Sequence, residues 1–401
     1  MKVLLNDGLN KEGIQLFEEA GIQTDTRKRN LSSLVQEVEE FDALIVRSAT
    51  QVTPEVIRAG AEGKLKIIGR SGVGYENVDL EAAIEYGVVV KNAPSGNTNA
   101  TAELALGLMY SLSRNIARAD ALSRSGFWKK KDLKGAELSH KTLGIIGCGR
   151  IGQRLSELVN AYMTVIGYDP DLERVMARFP ESRITYKSKD EVLAEADYVS
   201  IHTAGNGVVV GEREIALMKP SAYLINVARG EYVDERALYE ALKNGRLAGA
   251  GIDVYSREPE KDATDTPNFN SPFGDLPNVV LTQHQGASTD RAQQKTSEEI
   301  ANVVIDYLLR GDFSNAVNAG ETIQAERRQV YPLFVHHSDV PGAFATIDGV
   351  LAANKINIRE NPSRQIGRNG EVVTVYLLHQ QVGEGALTQL RGLDMVHSAK
   401  M

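Results

Sequence analysis

Residues 142–155 read TLGIIGCGRIGQRL. An apolar run ends in Gly147, Gly149 and Gly152, spaced G-x-G-x-x-G, and a helical pattern begins inside the motif. Each glycine answers a separate need: a tight turn, close approach of backbone to a pyrophosphate, and close packing of helix on strand. The helix N-terminus adds positive potential for an anion. The glycines alone also fit a simple turn, so the surrounding pattern decides. The next strand candidate, TVIGYD, ends in Asp169, 169 − 147 = 22 residues beyond the first glycine. That is near the ~20 expected for the carboxylate that binds the adenosine ribose hydroxyls. An acid there repels a 2′-phosphate, which favours NAD over NADP. Cys148 reads as a small filler rather than a nucleophile.

The motif sits within two series of short apolar runs alternating with helical patterns. The first comprises VLLN (3–6), ALIVR (43–47), KIIG (66–69) and VVVK (88–91), with helices near 11–20, 54–60 and 79–86. A long helix is expected over 99–123, capped by the NTNAT segment. The second series comprises runs at 142–147, 164–169, 198–202, 222–227, 248–254 and 278–284. Both imply parallel sheets with helices on their faces, the doubly wound α/β class. A helix over 289–310 leads to a linker at 311–328. The last segment then reads strand, helix, strand, strand, helix, strand, which implies a ferredoxin-like α+β domain.

A chain of 401 residues suggests two or three domains. Lys and Arg total 45 against 53 Asp and Glu, a formal charge of −8, which argues against nonspecific nucleic-acid binding. No apolar run approaches the ~20 residues of a membrane span. The opening MKVLLNDGLNKEG lacks the apolar core of a secretory signal, and the single cysteine allows no intrachain disulfide. A cytoplasmic enzyme is the expectation.

Three successive strand ends carry reactive side chains. INVARGEYVDERAL places Arg229 after one strand, GIDVYSREP gives Asp253 and Glu258 after the next, and LTQHQGAST gives His284. In doubly wound sheets ligands bind beyond the carboxyl ends of the strands. A guanidinium holds a 2-oxo acid through its carboxylate and carbonyl, and an imidazole oriented by a carboxylate exchanges the hydroxyl proton during hydride transfer. Taken alone, Arg229 reads as a surface arginine at a strand end.

These segments, with LIVRSATQVT, IIGRSGVGYENVDLEAA, NAPSGNTNATAELALGLM, SEEIA and NAVN, resemble the D-isomer-specific 2-hydroxyacid dehydrogenases almost end to end. The resemblance implies that Arg229 binds and polarises substrate, that His284 is the proton donor and acceptor, and that Glu258 is its partner. It implies NAD contacts from Gly147, Gly149, Arg150, Ile151, Gly152, Asp169, Thr203, Val227, Ala228, Arg229, Asp253, His284, Gln285, Gly286 and Ala287. Arg47, Ser48, Arg70, Gly72, Val73 and Gly74 would bind the phosphate and carboxylate of 3-phosphoglycerate, whose oxidation opens the phosphorylated route to serine. The competing readings are a different 2-hydroxy acid as substrate, or an NAD-sensing corepressor or scaffold.

The resemblance also implies a discontinuous plan that the residue patterns alone, read as consecutive domains, do not suggest. A flavodoxin-like substrate domain would span 1–95 and 287–320, a Rossmann NAD domain 96–286, and an ACT-like domain 326–401. The substrate cleft would close by hinge motion, and the protein would be a homodimer or homotetramer. VHHSDVPGAFATIDGVLAANKINI places His337, Asp339 and Asn357 where an ACT module contacts an effector, here L-serine; alternatively, Asp339 caps the following helix and the domain serves assembly. Adjacent His336 and His337 should face opposite sides of a strand, against a paired metal site. Two departures stand out: HTAGNGVVVGERE lacks the family's usual run after Thr203, and Gln283 and Gln285 flank His284. Hydrogen bonds from the two glutamines to the imidazole are expected. The basic run at 128–134 reads as a solvated loop, with the phosphate site of a second subunit as an alternative.

Overall fold

The computed structural model describes the chain except residues 206, 260–268, 315, 319–330, 362 and 367–369. The boundaries expected at 320 and 326 lie outside the described residues. The chain forms two compact units, one of Met1–Gly96 with Gln293–Met401 and one of Asn97–Ala292. The chain returns to the first unit at Gln293, and the terminal segment groups with that unit.

In the first unit, β1 (Lys2–Leu5), β2 (Gln23–Asp25), β3 (Ala43–Val46), β4 (Ile67–Arg70) and β5 (Val89–Asn92) form a parallel sheet in the order β2-β1-β3-β4-β5. This is the flavodoxin-like order. The central strands are apolar throughout because both faces are covered. The sequence pattern misses β2, since QTD is a polar, partly exposed edge strand. It also misses the helix Leu31–Glu37, whose N-cap Asn30 accepts from the Ser33 N–H. Ile300, Ala301, Val304 and Leu308 of the helix Asp290–Arg310 pack into the same core as Val3, Ile45, Ile67 and Val89.

The Asn318 side chain continues β5. Its Oδ1 accepts from the Val90 N–H at 2.9 Å and its Nδ2 donates to the Val88 carbonyl at 2.9 Å. Residues 316–318 thus hold the sheet edge.

The second unit contains β6 (Thr142–Ile146), β7 (Thr164–Tyr168), β8 (Thr185–Tyr186), β9 (Tyr198–Ile201), β10 (Tyr223–Asn226), β11 (Gly249–Ile252) and β12 (Val279–Leu281). All are parallel, in the order β12-β11-β10-β9-β6-β7-β8, so the direction of winding reverses between β6 and β9. The expected helix over 99–123 is two helices, Thr98–Ser113 and Ile116–Arg124. Asn115 between them is left-handed (φ 53°), a conformation asparagine tolerates.

The terminal segment forms β13 (Tyr331–Ser338), β14 (Ile358–Glu360), β15 (Ser363–Ile366), β16 (Glu371–Leu378) and β17 (Val396–Lys400). Its antiparallel order is β14-β16-β13-β17, the ferredoxin-like arrangement, with β15 an added strand on β16. Helices Ala343–Ala353 and Glu384–Arg391 close a core of Leu333, Val335, Ile347, Leu351, Tyr376 and Leu390. The other sheet face places Phe334, Val373, Val375 and Leu377 in the core shared with β1, β3 and β5. Asp339 does not cap the helix: the N-cap is Gly342 at φ 87°, without a side-chain bond. Among the described residues no helix is long and apolar enough to cross a membrane.

Candidate active site

The glycine motif forms the turn between β6 and the helix Arg150–Val159. Gly147 sits at φ 94°, and a Cβ there would lie 2.4 Å from the Thr203 backbone nitrogen. Gly149 is the helix N-cap, and a Cβ built on it meets nothing within 4 Å, so its backbone faces open space beside the helix N-terminus. A Cβ on Gly152 would strike the Gly147 carbonyl at 2.5 Å. The three glycines therefore fit the roles of turn, phosphate approach and helix packing, and a dinucleotide suits the site.

Asp169, just beyond β7, accepts from the Cys148 N–H at 2.8 Å and the Asp171 N–H at 3.0 Å. Cys148 is buried, and burial together with the Asp169 charge pushes its thiol up to about 12, which leaves no thiolate for chemistry. His202, after β9, bonds Ser200 Oγ through Nε2 at 2.8 Å, while its Nδ1 is shielded and, among the described residues, has no hydrogen-bond partner. Burial pushes that imidazole down to about 3. Thr203 follows it, its hydroxyl donating to the Ala204 carbonyl at 3.3 Å.

The strands β10, β11 and β12 lie side by side and deliver the reactive residues from their carboxyl ends. After β10, Asn226 ties the turn with a bond from the Ala228 N–H at 3.1 Å and one to the Arg229 carbonyl at 2.8 Å. Val227 is buried beneath this turn. Gly230 presses on the Tyr255 backbone so closely that a Cβ would lie 1.9 Å from its carbonyl carbon. The Arg229 guanidinium reaches the Ala228 carbonyl at 2.8 Å.

After β11, Asp253 is fully buried, and both its oxygens hold the loop that follows β12. They accept from Thr282 Oγ1 at 2.6 Å, the Gln285 N–H at 2.8 Å and the Gly286 N–H at 3.1 Å. The His284 N–H donates to the Asp253 carbonyl at 2.7 Å. Thr101 Oγ1 donates to the Gly286 carbonyl at 3.0 Å, so the NTNAT segment contributes a loop anchor rather than a helix cap.

Held this way, His284 places Nδ1 2.7 Å from Glu258 Oε2, and Glu258 Oε1 accepts from the Tyr255 N–H at 3.2 Å. An ionised carboxylate only accepts, so Nδ1 carries the proton and the Nε2 lone pair is left for substrate. The left-handed residue of the loop is His284 itself, at φ 52°, and Gly286 is the point pinned by Thr101 and Asp253. Among the described residues the imidazole's hydrogen-bond partner is Glu258. The side chains of Gln283 and Gln285 are exposed and do not bond it, contrary to expectation.

The remaining expected residues occupy the first unit. Arg47 and Ser48 follow β3, where the Arg47 N–H donates to Asp7 Oδ2 at 2.8 Å and its carbonyl accepts from Asn77 at 2.8 Å. Arg70 ends β4 and folds over Gly72, whose φ is 149°. The Val73 carbonyl accepts from Asn92 at 2.6 Å, which fixes the Gly72, Val73, Gly74 loop. In the terminal domain His337 is buried and bonds Thr374 Oγ1 at 2.9 Å, whereas Asp339 and Asn357 are exposed.

A doubly wound sheet with this glycine turn and three reactive strand ends defines a dinucleotide-dependent enzyme fold. Residues 106–286 match the D-isomer specific 2-hydroxyacid dehydrogenase, NAD binding domain. A hydroxypyruvate reductase of Thermotoga maritima is 38% identical over 77% of this chain and 98% of that relative. A D-3-phosphoglycerate dehydrogenase of Methanocaldococcus jannaschii is 39% identical over 83% of this chain, which spans 62% of that longer relative. The solved structure of a D-lactate dehydrogenase from a Sporolactobacillus species, 30% identical, superposes with a TM-score of 0.65 over 79% of this chain and 99% of that one. The chain belongs to the D-isomer-specific 2-hydroxyacid dehydrogenases, and its second unit is the family's NAD-binding domain.

Proposed function

We propose that this protein oxidises D-3-phosphoglycerate to 3-phosphohydroxypyruvate with NAD, the step that opens serine synthesis from a glycolytic acid. The observation that carries the reading is the 2.7 Å pair of His284 and Glu258 beyond β12 and β11, beside the Arg229 turn after β10. Bound NAD would supply the acceptor for the hydride leaving C2. His284 Nε2 takes the C2 hydroxyl proton, and Glu258 fixes the ring's tautomer and stabilises the imidazolium that results. Arg229 holds the substrate carboxylate and polarises the C2 oxygen. Gly147, Gly149, Arg150, Ile151 and Gly152 seat the pyrophosphate, and Asp169 takes the ribose hydroxyls.

Similarity to the phosphoglycerate enzyme over most of the chain supports the phosphorylated substrate, with Arg47, Ser48, Arg70 and the Gly72 to Gly74 loop as its phosphate and carboxylate ligands. The near-complete match to a hydroxypyruvate reductase supports a second reading, an unphosphorylated three-carbon acid. Initial rates with 3-phosphoglycerate and with glycerate, each with NAD, separate the two. Arg47→Ala should raise KM for the phosphorylated substrate alone. Absence of turnover on any 2-hydroxy acid would favour a sensing or scaffold role.

The terminal domain is proposed to bind L-serine through His337, Asp339 and Asn357 in a cytoplasmic homodimer or homotetramer. Unchanged rates in the presence of serine would leave it a structural module.

A further inference from the structure

Alternation along β13 separates His336 from His337, so the two do not pair on one metal. The residue that reaches His336 is His397, through an irregularity in the sheet. His336 on β13 pairs with Ser398 on β17, but the next residue, His337, pairs with Val396, so His397 is an extra residue between two rungs. Regular register would have set His397 opposite His337, on the other face. The bulge turns it toward His336 instead, with ring centroids 4.9 Å apart. On the other side of β13, Glu371 of β16 pairs with Ser338, two residues from His336 and therefore on the same face.

These three side chains converge without satisfying one another. Nε2 of His336 and Nε2 of His397 each lie 3.0 Å from the same oxygen, Glu371 Oε2. His336 is 3% exposed, yet among the described residues neither its Nε2 nor Glu371 Oε2 makes a hydrogen bond. A buried donor or acceptor left this way carries an unrecovered desolvation cost. We propose that His336, Glu371 and His397 bind one divalent transition-metal ion of the zinc type, clamping β13, β16 and β17 together. The donor set is two imidazoles and a carboxylate, a combination used by zinc and by ferrous iron. The three donor atoms lie within 4.8 Å of one another, and a tetrahedral zinc spaces its ligands by about 3.3 Å, from bonds of roughly 2.0–2.2 Å.

The surroundings agree. Ser338 Oγ lies 2.9 Å from His397 Nε2, a contact the ion would replace, leaving the hydroxyl near the fourth position. The His397 side chain is 41% exposed, which gives an ion a route in from solvent.

The test uses the full chain, stripped with a chelator and titrated with Co2+ alone. One Co2+ per chain is expected, with visible absorption that Zn2+ abolishes by displacement. His397→Ala and Glu371→Gln should each weaken binding by at least about tenfold, whereas His379→Ala and His284→Ala should not. Zn2+ should raise the Tm of the stripped protein and leave that of the two weakened variants unmoved. Either a wild-type chain without saturable Co2+ binding, or binding that survives both substitutions, overturns the proposal. His397 is the safer substitution because it is half exposed, so retained circular dichroism separates lost ligation from lost fold.

Discussion

Glu258 Oε2 lies 2.7 Å from Nδ1 of His284, although 26 residues separate them in the chain. The pair exists because β11 and β12 are parallel neighbours, so the loops after both emerge at the same sheet end. His284→Ala should lower kcat by about 10²–10⁴-fold, the range a positioned acid-base group supplies, with little change in NAD affinity. Glu258→Gln should lower kcat by on the order of 10²-fold with a smaller effect on KM, because the ring loses its fixed tautomer rather than its place. Steady-state rates of both variants check this; a Glu258→Gln enzyme with wild-type kcat would remove Glu258 from the mechanism.

The anchor of that loop is separable from its chemistry. Asp253→Ala strips partners from the buried N–H groups of Gln285 and Gly286 and from the Thr282 hydroxyl. Each unsatisfied group costs about 1–3 kcal/mol, so denaturant unfolding should show a loss of several kcal/mol. Thr101→Val removes one bond to the Gly286 carbonyl and should cost about 1 kcal/mol while lowering kcat through a looser His284.

Gly147→Ala should disrupt the cofactor turn twice over. The φ of 94° disfavours any side chain, and the added carbon would meet the Thr203 nitrogen at 2.4 Å. A stability loss of about 1–3 kcal/mol and a clear rise in the Kd for NAD are expected, read by thermal unfolding and by NADH fluorescence. Gly149→Ala has room for its carbon in the protein itself, so it should weaken NAD binding with little effect on Tm.

Alkaline pH should stabilise the first unit. Lys91 is fully buried, donating to the Val303 and Asp312 carbonyls, and burial pushes its ammonium down from 10.5 to about 8. Between those values the unfolded chain holds the proton that the folded chain has released, so stability rises with pH and levels off above 10.5; below 8 the full cost of the buried charge is present. At about 1.4 kcal/mol per unit the rise is about 3 kcal/mol. Lys91→Met should lose that rise in urea unfolding across pH 7.5 to 10.5.

The architecture was legible in the residue pattern alone. Alternating apolar runs set two parallel sheets, because a strand buried on both faces must be apolar throughout. The glycine spacing set the cofactor turn, and the order of strands put Arg229, Glu258 and His284 at successive strand ends. Polar or short elements escaped: β2 and β8 carry no apolar run, and Asn115 broke a helix without proline or glycine. Contacts between distant residues and backbone irregularities emerged only in the folded chain. Asp253 and Thr101 became the loop's anchors, the left-handed turn fell on His284, and Asn318 completed a sheet edge. A one-residue bulge in β17 brought His397 beside His336, which no period-two pattern could have foreseen.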